Sequence, residues 1–213
     1  MNRLLFILFA CMAASPFVWN HLKKSKPYNN PVPLTAVKKN MDGSAAAFAR
    51  LKGFASQLET YAAEHDYNAR YCFLVDMKIS SGSNRFFVYD IQKDSVLQSG
   101  LVAHGYGNST GNKITFSNVP GSNSSSIGKY KIGGSYNGRF GLAYKLHGLD
   151  KTNSNAFDRF VVLHAHECVP ETETAPETIC MSQGCPTVAP SFLKKLATYL
   201  DHSDKPVLLW IFN

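Results

Sequence analysis

The 213-residue chain has no Cys-x-x-Cys pair, no internal repeat and no uninterrupted apolar run long enough to span a bilayer. The first absence removes the usual spacing of a structural zinc site, and the second excludes solenoid and propeller arrays. The longest apolar stretch runs from Leu4 but meets Pro16 before Trp19, short of the about 20 residues a spanning helix needs. Charge of one sign is also scarce where a nucleic-acid site would need it. The net charge is +7, yet residues 1–43 hold six bases against the single acid Asp42, leaving 16 bases and 14 acids elsewhere. No basic face is therefore expected on the main domain, and no nucleic-acid partner. Gly105-Tyr106-Gly107 is followed by no helical pattern, so a dinucleotide site is not expected either.

What is present suits one domain behind a leader. Hydrophobic residues make up 45% of the chain, with 14 Phe and 10 Tyr, enough for a substantial core. Residues 1–19 join a short basic start (Met1-Asn2-Arg3) to the apolar run Leu4–Ala10 and then to small residues, and read as a signal peptide or a membrane or lipid anchor. Leu8-Phe9-Ala10-Cys11 loosely resembles a lipoprotein box. Export is the expectation, with the lysine-rich flank lying near an anionic membrane surface. Residues 20–43, with Pro27, Pro31 and Pro33, read as a linker, and 44–213 as the single folded domain.

From Ser44, a candidate N-cap, the residues Phe48, Leu51, Phe54 or Ala55, Leu58, Tyr61, Ala62 and His65 recur at helical spacing. The pattern then turns to strands. Cys72–Met77 and Arg85–Asp90 flank the turn residues Ser81–Asn84, and Val96–His104 follows as one strand. Short strands are predicted at Lys129–Ile132 and Gly141–Leu146 within a Gly-, Ser- and Asn-rich stretch. Pro190 and Ser191 open a helix over Phe192–Leu200, and Val207–Phe212 is a final buried strand. The fold class is mainly β, of the α+β kind.

The chemistry gathers between Arg159 and Val188. The apolar run Phe160–Leu163 reads as a strand that delivers His164 and His166 on one face, with Val161 and Leu163 on the other. A loop then returns through Ser182-Gln183-Gly184-Cys185-Pro186. A thiol needs a neighbouring base or cation to become a thiolate at neutral pH, and imidazole is the usual supplier. Cys185 is thus a candidate nucleophile. Ser182, Gln183 and Gly184 shape its loop, and the Gly184 and Cys185 N–H groups are candidate oxyanion donors. Either His164 or His166 could serve as the base. Arg159 is placed either to hold a substrate carboxylate or to pair with Asp158 or Asp150. A rival reading makes His164, His166 and Cys168, with Cys180 or Cys185, a zinc set. His104 and His147 read as structural histidines.

His164-Ala165, a spacer of about twenty residues and Ser182-Gln183-Gly184-Cys185-Pro186 resemble the signature of the murein L,D-transpeptidase catalytic domain (YkuD-type), in its Ser-x-Gly-Cys-Pro branch. Phe116-Ser117-Asn118, Ser124–Tyr130, and Leu146–Asp150 with Asn153, Asn155 and Arg159 extend the likeness, which covers about Tyr71 to Asn213. One departure is Thr187, where the better-known members carry an arginine two residues after the cysteine. The resemblance implies a twisted mixed β-sheet or sandwich with one helix before it and another after the cysteine. It implies Cys185 as nucleophile and His164 as base, without metal or cofactor, and beside it Arg159, His166 and Gln183 stand as candidate substrate contacts. The implied partner is a peptidoglycan stem peptide, acted on by transpeptidation, by L,D-carboxypeptidation, or merely bound by an inactive relative. Such a protein would be a monomer in the bacterial periplasm or cell envelope.

An exported chain exposes thiols to oxidation, so Cys168 and Cys180, which flank a loop holding Glu171, Glu173 and Glu177, are expected to form a disulfide rim over the site. The three glutamates would then favour a cationic acceptor amine. Alternatives are a Cys180–Cys185 bridge, or Cys72 as a partner.

Overall fold

A computed structural model describes residues 44–109 and 113–213. Residues 1–43, with the expected leader, Cys11 and linker, lie outside these. Helix α1 (Ser44–His65) begins at the expected residue. It presents Leu51, Ala55, Leu58 and Ala62, all 3% exposed or less, to the sheet. That stripe packs on Cys72, Leu74, Phe87, Tyr89 and Leu208 in one buried cluster. Residues of opposite parity on the same strands (Phe73, Val75, Phe86, Val88, Leu209) belong to a second cluster with Leu193 and Leu196. These last two lie on helix α2, Pro190–Leu200. Being covered on both faces explains why these strands read as continuous apolar runs.

All nine strands join one mixed sheet. In chain order they are β1 (Tyr71–Asp76), β2 (Phe86–Asp90), β3 (Ser95–Gly100), β4 (Val102–Ala103), β5 (Gly128–Gly138), β6 (Gly141–Gly148), β7 (Val162–Ala165), β8 (Thr187–Val188) and β9 (Leu208–Phe212). Their spatial order is β3-β2-β1-β9-β5-β6-β7-β8-β4. The β1–β9 and β7–β8 pairs are parallel, and the others antiparallel. The two edges, β3 and β4, are separated in sequence by Leu101 alone, so the sheet must curl until its ends nearly meet. It is nearly barrel-shaped.

This closure corrects one expectation. Val96–His104 is not a single strand; it breaks after Gly100. A Cβ at Gly100 would stand 2.6 Å from the Phe192 ring, so only glycine admits α2 at that corner. A second correction concerns β5 and β6. They are longer than the predicted short strands, because a register shift between Ile132 and Ser135 carries pairing through Gly133-Gly134 to a tight turn at Arg139-Phe140.

A third correction falls beside the site. Phe160 does not open the strand. Phe160 N–H bonds the Phe157 carbonyl at 3.0 Å and Val161 N–H the Ala156 carbonyl at 2.9 Å. That pair has the hydrogen-bond pattern of a Schellman motif closing a run of turns, with Phe160 in the left-handed position (φ 56°) normally held by glycine. Phe160 is 83% exposed, while Val161 and Leu163 are buried.

Candidate active site

Strands β7 and β8 lie side by side, with His164 directly opposite Thr187. His164 Nδ1 lies 3.0 Å from the Ala165 carbonyl and Nε2 lies 3.0 Å from Thr187 Oγ1. Only Nδ1–H can meet a carbonyl, so the network assigns the proton to Nδ1, and Nε2 accepts from the Thr187 hydroxyl. The ring stacks on Phe140 at 5.0 Å and 16°. Burial pushes its pKa below the ordinary histidine value; the Ala165 bond opposes this, and nearby His166 reinforces it. His164 is thus a neutral base with one lone pair turned towards β8.

Cys185 is a free, half-buried thiol. Its Sγ receives the Val162 N–H at 3.5 Å and points towards the Phe160 carbonyl at 3.8 Å. Neither contact is with His164. Successive same-face residues of a strand are about 7 Å apart, so thiol and imidazole share a wall without sharing a hydrogen bond. Burial raises the thiol pKa above the ordinary cysteine value, offset in part by the Val162 N–H and the charge of Arg159.

The cysteine loop is held by its own side chains. Ser182 Oγ donates to the Cys185 carbonyl at 2.6 Å and accepts the Gly184 N–H at 3.2 Å. Gly184 has φ +119°, a conformation that glycine adopts without strain. Of the two expected oxyanion donors, the Gly184 N–H is therefore given to Ser182. The Cys185 N–H has no hydrogen-bond partner among the described residues. Ser182 also ties the loop to the end of β4, its N–H donating to the His104 carbonyl and its own carbonyl accepting from Tyr106 N–H. Ser125 Oγ donates to the Gly184 carbonyl at 3.0 Å.

Among the described residues Arg159 forms no ion pair with Asp158 or Asp150. Asp150 pairs with Lys129 instead, at 2.8 Å. The Arg159 guanidinium points inward and donates to the Ser117 and Ser124 carbonyls at 2.8 and 2.7 Å and to Ser126 and Ser122 hydroxyls at 2.6 and 3.3 Å. Through its two terminal nitrogens it orders the serine loop behind Gly184. His166 is exposed; its Nδ1 accepts the Cys168 N–H at 3.1 Å, and its ring meets the edge of Phe140.

Cys168 and Cys180 form a disulfide, as the rim required, which also withdraws two ligands from the zinc reading. Two of the three glutamates face elsewhere. Glu171 accepts from both N–H and hydroxyl of Ser191, supplying the N-terminal cap that Ala189 cannot give α2, and Glu173 accepts the Asn84 N–H at 2.7 Å. The rim is not an acidic surface over the site. Cys72 is buried and free. His104 is structural as expected: its Nδ1 receives Arg85 Nη2 at 2.9 Å.

These parts open on one cavity of about 410 Å³, to which His164, His166, Gln183, Cys185 and Thr187 contribute. The disulfide, Met181 and the hairpin tip Arg139-Phe140 complete its wall. Sequence reading passed over Arg139 and Phe140. The available signal was the pair of glycines, Gly138 and Gly141, that brackets them.

The family model of the L,D-transpeptidase catalytic domain matches residues 44–210. The chain belongs to this family. No curated protein matches this L,D-transpeptidase domain. Solved structures similar to it include the Ldtfm–avibactam carbamoyl enzyme, at 13% identity and TM-score 0.43, covering 68% of this chain and 49% of that one. A cysteine-to-serine mutant of the Enterococcus faecium L,D-transpeptidase matches at 13% and 0.42, covering 67% and 50%. The helical cell shape determining protein Pgp2 from Campylobacter jejuni matches at 12% and 0.41, covering 75% and 54%. The chain spans about half the length of these structures.

Proposed function

We propose that the domain is a cysteine-dependent L,D-transpeptidase acting on peptidoglycan stem tetrapeptides. The observation that carries this reading is the opening of a free thiol and a neutral, proton-accepting imidazole onto one cavity from adjacent segments. His164 Nε2 takes the Cys185 proton, and Sγ attacks the carbonyl carbon of the third residue. The Cys185 N–H faces the developing oxyanion. As the C–N bond breaks, the proton returns through His164 to the departing D-alanine amine, leaving a thioester. An acceptor amine then attacks the thioester, forms an amide and releases the thiol; water in its place gives an L,D-carboxypeptidase.

In the resting arrangement the Thr187 hydroxyl occupies Nε2. The Cys185 carbonyl, 3.3 Å from Thr187 Oγ1, is a second acceptor within reach, so the hydroxyl can yield the lone pair as Sγ swings in. Catalytic hydrogen bonds commonly close only when substrate binds. Because the raised thiol pKa disfavours a preformed thiolate, proton transfer accompanies attack. The leader pattern and the disulfide support an exported, envelope-facing protein.

The thiol's contacts with backbone rather than with His164 favour a second reading, an inactive peptidoglycan-binding relative. Incubation with stem tetrapeptides and mass spectrometry separate the readings. D-alanine loss with a thioester adduct on Cys185 supports the enzyme. Binding without adduct or D-alanine release supports the relative.

A further inference from the structure

The two-residue turn Arg139-Phe140 joins β5 to β6, with Gly138 paired to Gly141. Gly141 holds φ +81°, which favours glycine and lets the turn close tightly. Because β6 is the neighbour of β7, this tip lies beside the site, with Ala143 opposite His164. Phe140 stacks on the His164 ring, and the Arg139 guanidinium lies 5.4 Å from the Phe140 centroid. Cation, aromatic ring and imidazole thus form a chain of contacts along one wall of the cavity.

Among the described residues Arg139 is the only lysine or arginine that lines this cavity, and none of them places a carboxylate in its wall. Among the described residues its side chain makes no hydrogen bond and no ion pair. The contrast with the chain's other site arginine is chemical: both terminal nitrogens of Arg159 already donate to the serine loop. A guanidinium with a free fork beside a neutral, partly apolar cavity selects a planar anion that can be gripped by two parallel hydrogen bonds.

We infer that Arg139 is the carboxylate-recognition residue of this cavity, gripping a free carboxylate of the peptide whose carbonyl lies over Cys185. The inference deepens the proposed function and rests on its substrate class. Two carboxylates of a stem tetrapeptide could meet the fork: that of the terminal residue, or the side-chain carboxylate of a diamino-diacid third residue. Phe140 would hold the fork at a set height above His164.

The test uses the Cys185→Ala chain, which binds without turning over, with and without Arg139→Gln, and measures affinity by titration calorimetry. The ligands are a tetrapeptide free acid, its terminal amide and its third-residue side-chain amide. Arg139→Gln is expected to weaken the free acid about tenfold or more, and to leave unchanged the binding of whichever amide removes the gripped group. Arg139→Lys keeps the charge without the fork and should fall between. Equal affinity of the two chains for the free acid overturns the inference. So does a loss of the same size for both amides, and so does failure of the Cys185→Ala chain to bind any of the three peptides. If Cys185-containing protein turns over none of them while the Arg139-dependent discrimination persists, the proposed reaction fails and the carboxylate site stands.

Discussion

The two halves of the sheet are built by different forces. In β3-β2-β1-β9 the strands are five or six residues long, and β1, β2 and β9 have almost no exposed residue. Apolar side chains cover them on both faces, and α1 and α2 complete the two cores. In β7-β8-β4 the strands are four, two and two residues long. There, side chains and loops take over the work of a ladder: Ser182, Ser125, Thr187 and Arg159 supply the hydrogen bonds that strand pairing does not. Hydrophobic burial is non-directional and makes a rigid frame. Directional hydrogen bonds, narrow in length and angle, fix where a thiol, an imidazole and an open N–H stand. The frame half should therefore control stability, and the other half activity.

The sharpest way to break this division is at the two candidate catalytic groups. Cys185→Ala should abolish turnover, and His164→Ala should reduce it by roughly 10²–10⁴, with Tm almost unchanged in both. His166→Ala, at an exposed ring, should cost far less. Full turnover by Cys185→Ala would end the enzyme reading, and a deadlier His166→Ala would transfer the base. In the frame, Leu58→Ala should cost about 2–5 kcal/mol by denaturant melts, while kcat of the folded fraction holds.

The disulfide straddles the comparison. Replacing Cys168 and Cys180 together by serine opens a loop with a sequence separation of 12; on chain entropy the loss is about 3 kcal/mol. A larger fall in kcat/KM than in stability would show that the rim also shapes the cavity. Next in size is the response to acid. Burial, and secondarily Arg85, lower the His104 pKa from 6.5 to about 4. The unfolded chain then binds the proton first, so stability is whole above about pH 6.5 and declines as pH falls towards 4. The loss is on the order of 3 kcal/mol; His104→Gln should flatten that slope in melts taken between pH 7 and 4. The smallest effect has the opposite sign. Phe160 holds a left-handed backbone, so Phe160→Gly should stabilise the chain by about 1 kcal/mol. A clear destabilisation would show that its exposed ring packs on something the fold needs.

Local pattern was enough for the elements whose burial is periodic. The stripe from Leu51 to Ala62 marked α1, continuous apolar runs marked β1, β2 and β9, and Pro190 marked the start of α2. The pairing of Cys168 with Cys180 was also within reach, since both lie close in sequence. The histidine and cysteine segments could be named, because strand, loop and thiol fall within thirty residues of one another. What they touch could not. Periodicity reports which face of a strand is buried but not which strand lies beside it, so the turn at Leu101, the register shift past Ile132 and the reach of the Arg139-Phe140 tip over His164 were all invisible. The same limit hid the inward turn of Arg159, whose partners lie 33 to 42 residues away, and the seating of Sγ against Val162 and Phe160. A side chain's polarity is written in the sequence, whereas its hydrogen-bond partner is chosen by which backbone the closed sheet brings within 3 Å of it.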